Sequence, residues 1–194
     1  YRDRLSLAPL RRREPDLGSL DADAEAGEPL PALDAGPAEP AEATPPLVAA
    51  EKVIALRLIA SKRPGFPGEK LILALRDAGL RHGRFGIFHY HPGDDDRVVQ
   101  FSVASLVEPG SFDLTRLRES SYPGISLFMA LPDAAGGIDA FDKMLEVARS
   151  LAIRLDGQLL DEQGSALSVQ RQRYMREEAL QYLHQLEAQA GERA

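Results

Sequence analysis

RFGIFHYHPGDDDRVVQFSVASLV, residues 84–107, decides how the chain folds. Two runs of aromatic and β-branched residues, RFGIFHYH (84–91) and RVVQFSVASLV (97–107), flank PGDDD, a Pro, Gly and Asp cluster of the kind that reverses a chain. The stretch therefore reads as an antiparallel hairpin. A rival reading competes with it, because His89 and His91 share a strand face and two imidazoles with a carboxylate can hold Zn²⁺. A metal site needs a further ligand fixed by the fold. Asp94, Asp95 and Asp96 lie in a solvated turn, and His82 and His184 have no spacing that brings them near. The hairpin is preferred, with a metal-binding corner, or a metal-dependent hydrolase built on it, as the alternative.

Outward from the hairpin, the period of the apolar residues sets the remaining elements. VIALRLIA (53–60), ISLFMALP (125–132) and the short QLLD (158–161) read as strands. GEKLILALRDAGL (68–80) carries Leu71, Ile72, Leu75 and Ala78 at helical spacing, with Gly79 placed to stop the helix. Ile138, Phe141, Leu145, Ala148 and Ala152 mark a second amphipathic helix. SVQRQRYMREEALQYLHQLEAQ (168–189) predicts a third, with Ser168 as N-cap and Met175, Ala179, Leu183 and Leu186 along one side. Strands and helices mix without strict alternation. The expected class is therefore α/β of the α+β type, a mostly antiparallel sheet with helices on one face. GFPGEK (65–70) lacks the glycine spacing and the Ser or Thr of a phosphate loop, so it reads as a loop feeding the first helix.

Neighbouring strand residues point to opposite sides of a sheet, so each strand has two faces. Ile54, Leu56 and Leu58, Phe88 and Tyr90, Val99, Phe101 and Val103, and Ile125, Leu127, Met129 and Leu131 form one aliphatic and aromatic side suited to a helix-covered core. The other side carries Val53, Ala55, Phe85, Ile87, Ala104, Leu106, Ser126 and Phe128, neither polar nor uniformly bulky. If the helices occupy the first side, the second is an exposed apolar face with a shallow floor, which commonly marks a partner site; cover by the acidic tail or a loop, or a homodimer interface, stands as an equal alternative on pattern alone.

Composition divides the chain unequally. Residues 14–48 contain no Lys, Arg or aromatic and consist mostly of Ala, Pro, Asp, Glu and Gly. Such a segment cannot bury enough apolar surface to offset its ordering entropy, which predicts an extended, semi-stiff linker over residues 1–48. Residues 1–48 hold five Arg against ten Asp and Glu, five of the seven net negative charges. The domain expected over 49–190, with a short tail at 191–194, is therefore nearly neutral, which argues against nucleic acid as a partner. Cysteine is absent, which removes disulfides, Cys-ligated zinc and thiol catalysis. No run of about 18 apolar residues appears. The chain opens at Tyr1 with Arg2, Arg4 and Arg11 to Arg13 ahead of the acidic linker, a cluster that a juxtamembrane segment beyond an upstream anchor would carry, although a solvated charge run is the preferred reading of these residues by themselves.

The stretches DAGLRHGRFGIFHYH (77–91), FSVASLVEPGSFD (101–113) and YPGISLFMALP (122–132), in this order and spacing, resemble the C-terminal domain of the ZipA family, bacterial division proteins that bind the tubulin-like FtsZ. The resemblance covers residues 51–188, through LDGQLLDEQ (155–163) and the last helix. It implies a sheet of about six strands, three helices on one side, and on the other a shallow groove for the short C-terminal tail of FtsZ. It also implies no cofactor and no catalysis, and an N-terminal membrane anchor ahead of the linker. The protein would then tether and stabilise FtsZ filaments of the Z ring on the cytoplasmic face of the inner membrane at the septum. Position by position, the groove would be lined by Val53, Ala55, Phe85, Ala104, Leu106, Ser126 and Phe128, and Ile87 shares their face by alternation. One departure stands out: Glu108 occupies the place of a lysine beside the family's groove.

Because the linker contributes no core and the groove belongs to the later domain, deleting residues 14–48 should leave affinity for an FtsZ tail peptide nearly unchanged. Peptide titration of the two proteins checks this, and a large loss would mean that the linker completes the site.

Overall fold

A computed structural model describes residues 52–132 and 134–193; the expected linker lies outside the described residues. Strand β1 (Lys52–Ala60) buries Ile54, Leu56 and Leu58 while the intervening side chains stay accessible. After it the chain forms β2 (Phe66–Pro67), helix α1 (Gly68–Asp77), β3 (Leu80–His82), a single 3₁₀ turn at Arg84–Gly86, β4 (Phe88–Tyr90) and β5 (Phe101–Ser105). β6 (Ser121–Tyr122), β7 (Gly124–Leu131), α2 (Ile138–Leu155), β8 (Gly157–Asp161) and α3 (Val169–Glu192) complete it. Six strands form one sheet in the order β3-β4-β5-β7-β1-β8, every neighbouring pair antiparallel, and β2 pairs with β6 in a small second sheet.

One face of the large sheet carries the core. Ile54, Leu56 and Leu58 of β1 and Ile125, Leu127, Met129 and Leu131 of β7 join Phe88, Phe101 and Val103 in a single buried cluster. Leu71, Ile72 and Leu75 of α1, Phe141, Met144 and Leu151 of α2, and Met175 and Ala179 of α3 close the same cluster. Each fully buried Leu, Ile, Val, Phe or Met among them contributes about 1.5–3 kcal/mol. The helix starts and stops follow local chemistry. The hydroxyl of Ser168 caps α3 by accepting from the Arg171 N–H (3.1 Å), and Gly79 takes φ +92° immediately beyond α1. α3 runs to Glu192, past residue 190 where the sequence places the end of the domain.

The structure corrects the hairpin in detail. Its strands are short, β4 spanning only 88–90 and β5 only 101–105, and ten residues connect them instead of the five of PGDDD. Arg84–Gly86 leaves extended geometry, with Phe85 at φ 61°, so strand alternation does not orient Phe85. Leu80, directly after the Gly79 expected to stop the first helix, begins β3. β2, β3 and β6 have two or three residues each, too few to show a period in sequence. GFPGEK is a packing loop. The Gly68 N–H donates to the Ser120 carbonyl (2.9 Å), and a side chain at Gly68 would strike the Leu117 carbonyl.

Leu127 is fully buried at the centre of β7. Leu127→Ala should lower unfolding stability by about 2–5 kcal/mol, the range for cavity-forming truncations, as read from denaturant melts. A loss below about 1 kcal/mol, the level of ordinary surface changes, would contradict its core placement.

Candidate functional site

The face opposite the helices is ordered by cross-strand register. One row runs His89, Ser102, Phe128, Ala55 across β4, β5, β7 and β1. The next runs Ala104, Ser126, Arg57, Leu160 across β5, β7, β1 and β8. Val53 stands opposite Ala130 above the first row. Below the second, the Leu106 N–H donates to the Gly124 carbonyl (3.1 Å), and Gly124 pairs with Ile59. Of the eight residues expected to line a groove, register puts Val53, Ala55, Ala104, Ser126 and Phe128 on one face with Leu106 at its edge, and Phe85 lines a hollow together with His89 and Ser102.

The floor is low for a steric reason. Ala104 and Ser126 face each other where a larger pair would fill the centre. Gly124 has the same effect at the lower rim: a Cβ there would lie 2.7 Å from the Leu106 side-chain tip and 2.8 Å from that of Ile59, so its absence lets both lean inward. The rim is apolar and open, with Val53 55%, Leu106 40% and Phe85 81% exposed, whereas Ala55, Ile87 and Phe128 are partly buried.

Phe85 is the most unusual of these residues. Among the described residues only Phe85 and Asp156 adopt positive φ without being glycine. A short Asp side chain tolerates that region, whereas a Phe pays roughly 1–2 kcal/mol for it. With its ring largely in water, Phe85 gains little burial to offset the strain. His89 holds the turn. Its Nε2–H donates to the Arg84 carbonyl (3.1 Å), so in the neutral ring Nδ1 accepts from the Ser102 hydroxyl (2.7 Å). The Arg84 guanidinium lies 5.6 Å from the Phe85 ring centroid. Beside this turn is a hollow of about 530 Å³, lined by Phe85, His89, His91 and Val99 among others. A second, of about 260 Å³, continues past Gln100 to Phe128 and Ala130. Sequence reading missed Gly124, His89 and Ser102 as contributors. Alternation places the last two on the right face, but only register shows what they touch.

The same contacts correct the metal reading. Both ring nitrogens of His89 are engaged, and the His91 Nδ1–H donates to the Val98 carbonyl (2.8 Å). Asp95 accepts from the Arg97 Nε–H (3.1 Å) and backbone N–H (3.0 Å), which together hold its carboxyl below the usual carboxylate range, and Asp96 pairs with Arg81. The aspartates pin the turn. No group of three or more His, Cys, Asp or Glu is placed to hold a metal among the described residues. Ser102 and His89 resemble two parts of a hydrolytic triad, but the outer histidine nitrogen meets a backbone carbonyl instead of a carboxylate, and Ser102 is only 8% exposed.

Residues 52–178 match the family described as ZipA, C-terminal FtsZ-binding domain. The chain belongs to the ZipA family. It is 34% identical over 171 residues to cell division protein ZipA of Pseudomonas fluorescens strain Pf0-1, covering 84% of this chain and 59% of the relative. Over 202 residues it is 33% identical to that of Xanthomonas campestris pv. campestris strain 8004, covering 96% and 81%. With ZipA of Xylella fastidiosa strain Temecula1 it shares 37% over 133 residues, covering 68% and 55%. The chain thus spans 59% of the P. fluorescens Pf0-1 relative and 62% of that from strain SBW25.

Strain at an exposed apolar residue persists where function needs it. Phe85→Asn, which suits a left-handed backbone, should leave stability unchanged or raise it by up to about 1 kcal/mol in a thermal melt while weakening peptide binding. Clear destabilisation would show that the ring serves the fold.

Proposed function

We propose that the open sheet face receives the C-terminal tail of FtsZ, and that the protein is a division adaptor holding FtsZ filaments of the Z ring at the inner membrane. The observation that carries this reading is the strained, exposed Phe85 beside a low, apolar, small-residue floor in a domain of the ZipA family. Val53, Ala55, Phe85, Ile87, Ala104, Leu106, Ser126 and Phe128 form the binding surface. Apolar side chains of the tail settle over Phe85, Leu106 and Phe128, and Ala104 and Ser126 leave room for its backbone.

The mechanism is recognition, and the domain works as a binder and not as an enzyme. Among the described residues no helix is long and apolar enough to cross a membrane. In this reading an N-terminal membrane anchor, ahead of the linker proposed over residues 1–48, holds the protein on the cytoplasmic face of the inner membrane at the septum. A filament displays many tails, so weak single contacts add up to firm attachment through high local concentration.

Phe128 sits between Ser102 and Ala55 in the centre of the face, one residue from fully buried Leu127. Central aromatic anchors typically cost ~2 kcal/mol or more of affinity on truncation, so Phe128→Ala should weaken binding of an FtsZ tail peptide about thirtyfold. Its melting temperature should fall far less than that of Leu127→Ala. If Phe128→Ala unfolds the domain and Leu127→Ala mainly impairs binding, the two faces are exchanged and the groove is elsewhere.

A further inference from the structure

A cation sits in the middle of the open face. Arg57 lies on β1 between Ser126 of β7 and Leu160 of β8, with Ala55 and Ile59 before and after it on the same side. It is partly buried, and among the described residues its guanidinium has no hydrogen-bond or ion-pair partner. Arg81, Arg97, Arg118, Arg154 and Arg176, by contrast, each meet a carboxylate. The nearest acid along β8, Asp161, points to the core side, where it is 3% exposed and pairs with Arg171 (3.3 Å).

In the free domain water solvates Arg57. A peptide laid across Ala104, Ser126 and Ala55 strips part of that water, and a desolvated guanidinium is costly unless a counter-charge replaces the lost hydration. A carboxylate fits its planar fork through two parallel hydrogen bonds. Exposed Glu108, two residues beyond Leu106, repels the same group and has no ion-pair partner among the described residues. Arg84, beside the Phe85 ring, also lacks an ion-pair partner among the described residues but stands at the rim, so Arg57 is the unpaired cation within the sheet face itself. We propose that Arg57 anchors a carboxylate of the bound segment, so that the face selects an acidic apolar peptide and fixes its register. This deepens the groove reading and rests on it.

The test is a fluorescence titration of a synthetic FtsZ C-terminal tail peptide, and of peptides with each Asp or Glu changed in turn to Asn or Gln, against wild type and Arg57→Met. Methionine keeps an apolar stem on the strand, and a melt confirms folding; Arg57→Gln serves if it does not fold. Arg57→Met should weaken the native peptide by about tenfold, within the range of close interfacial charge pairs, and flatten the salt dependence of its affinity. One neutralised peptide should lose a similar factor on wild type and nothing further on the variant, and Arg57→Lys should recover part of the loss. Unchanged affinity of Arg57→Met, or neutralised peptides that lose as much on the variant as on wild type, would overturn the anchor while Phe128→Ala still weakens binding. A wild-type domain that ignores the peptide, or a Phe128→Ala variant that binds it normally, would instead remove the groove and the anchor together.

Discussion

The antiparallel pairing of β1 with β7 on one side and β8 on the other governs everything else in the domain. β1 is the first strand of the fold and its partners come more than sixty residues later, yet the register is continuous over eight residue pairs with β7. That register commits Ile54, Leu56 and Leu58 to the side where Leu127 and Met129 wait. A slip of one residue would exchange the two faces wholesale, placing Arg57 in the core and leucines in water. The burial of one side and the availability of the other therefore share a single cause. Three helices cover one face, whereas Val53, Leu106 and Phe85 at the margin of the other stay exposed.

An open apolar face on a sheet is a hazard as well as an opportunity, and this one is kept small. Ala104, Ser126, Ala55 and Gly124 limit the apolar area at the centre, while the bulky groups stand at the margin as Val53, Leu106 and Phe85. Such a surface offers a segment contact at several points without presenting a broad flat patch. Phe85 is set apart from the rest because the 3₁₀ turn, and not a strand, presents it. Its conformational cost is met by the His89 bridge from the Arg84 carbonyl to the Ser102 hydroxyl, which ties the turn to β5. The histidines that first suggested metal chemistry thus belong to the site's scaffold.

Charge follows the same division between margin and centre. Asp95 and Asp96 of PGDDD are occupied by Arg97 and Arg81, and the surface pairs Arg154 with Asp77 and Arg176 with Asp142 link neighbouring helices. Such exposed pairs add little to stability. The charges that remain without a partner on the open side are therefore the ones available to a ligand.

Period-two alternation and helical spacing in the sequence were enough to assign the faces of β1 and β7, the three helices and the cap at Ser168. These depend on neighbours in the chain, and local burial enforces them. Gly124, Arg57 and the His89–Ser102 contact gain their meaning only from strands distant in sequence being placed side by side, so no local pattern announces them. Phe85 shows the boundary most clearly. The sequence reads as strand through residue 85, and alternation along that strand cannot orient the Phe85 side chain. Only the packed structure decides that the chain turns there through a left-handed conformation, because the competing terms are a backbone strain of about 1–2 kcal/mol and hydrogen bonds from a histidine four residues away. Local pattern determines which way a side chain faces. Register and tertiary contact determine what it meets there.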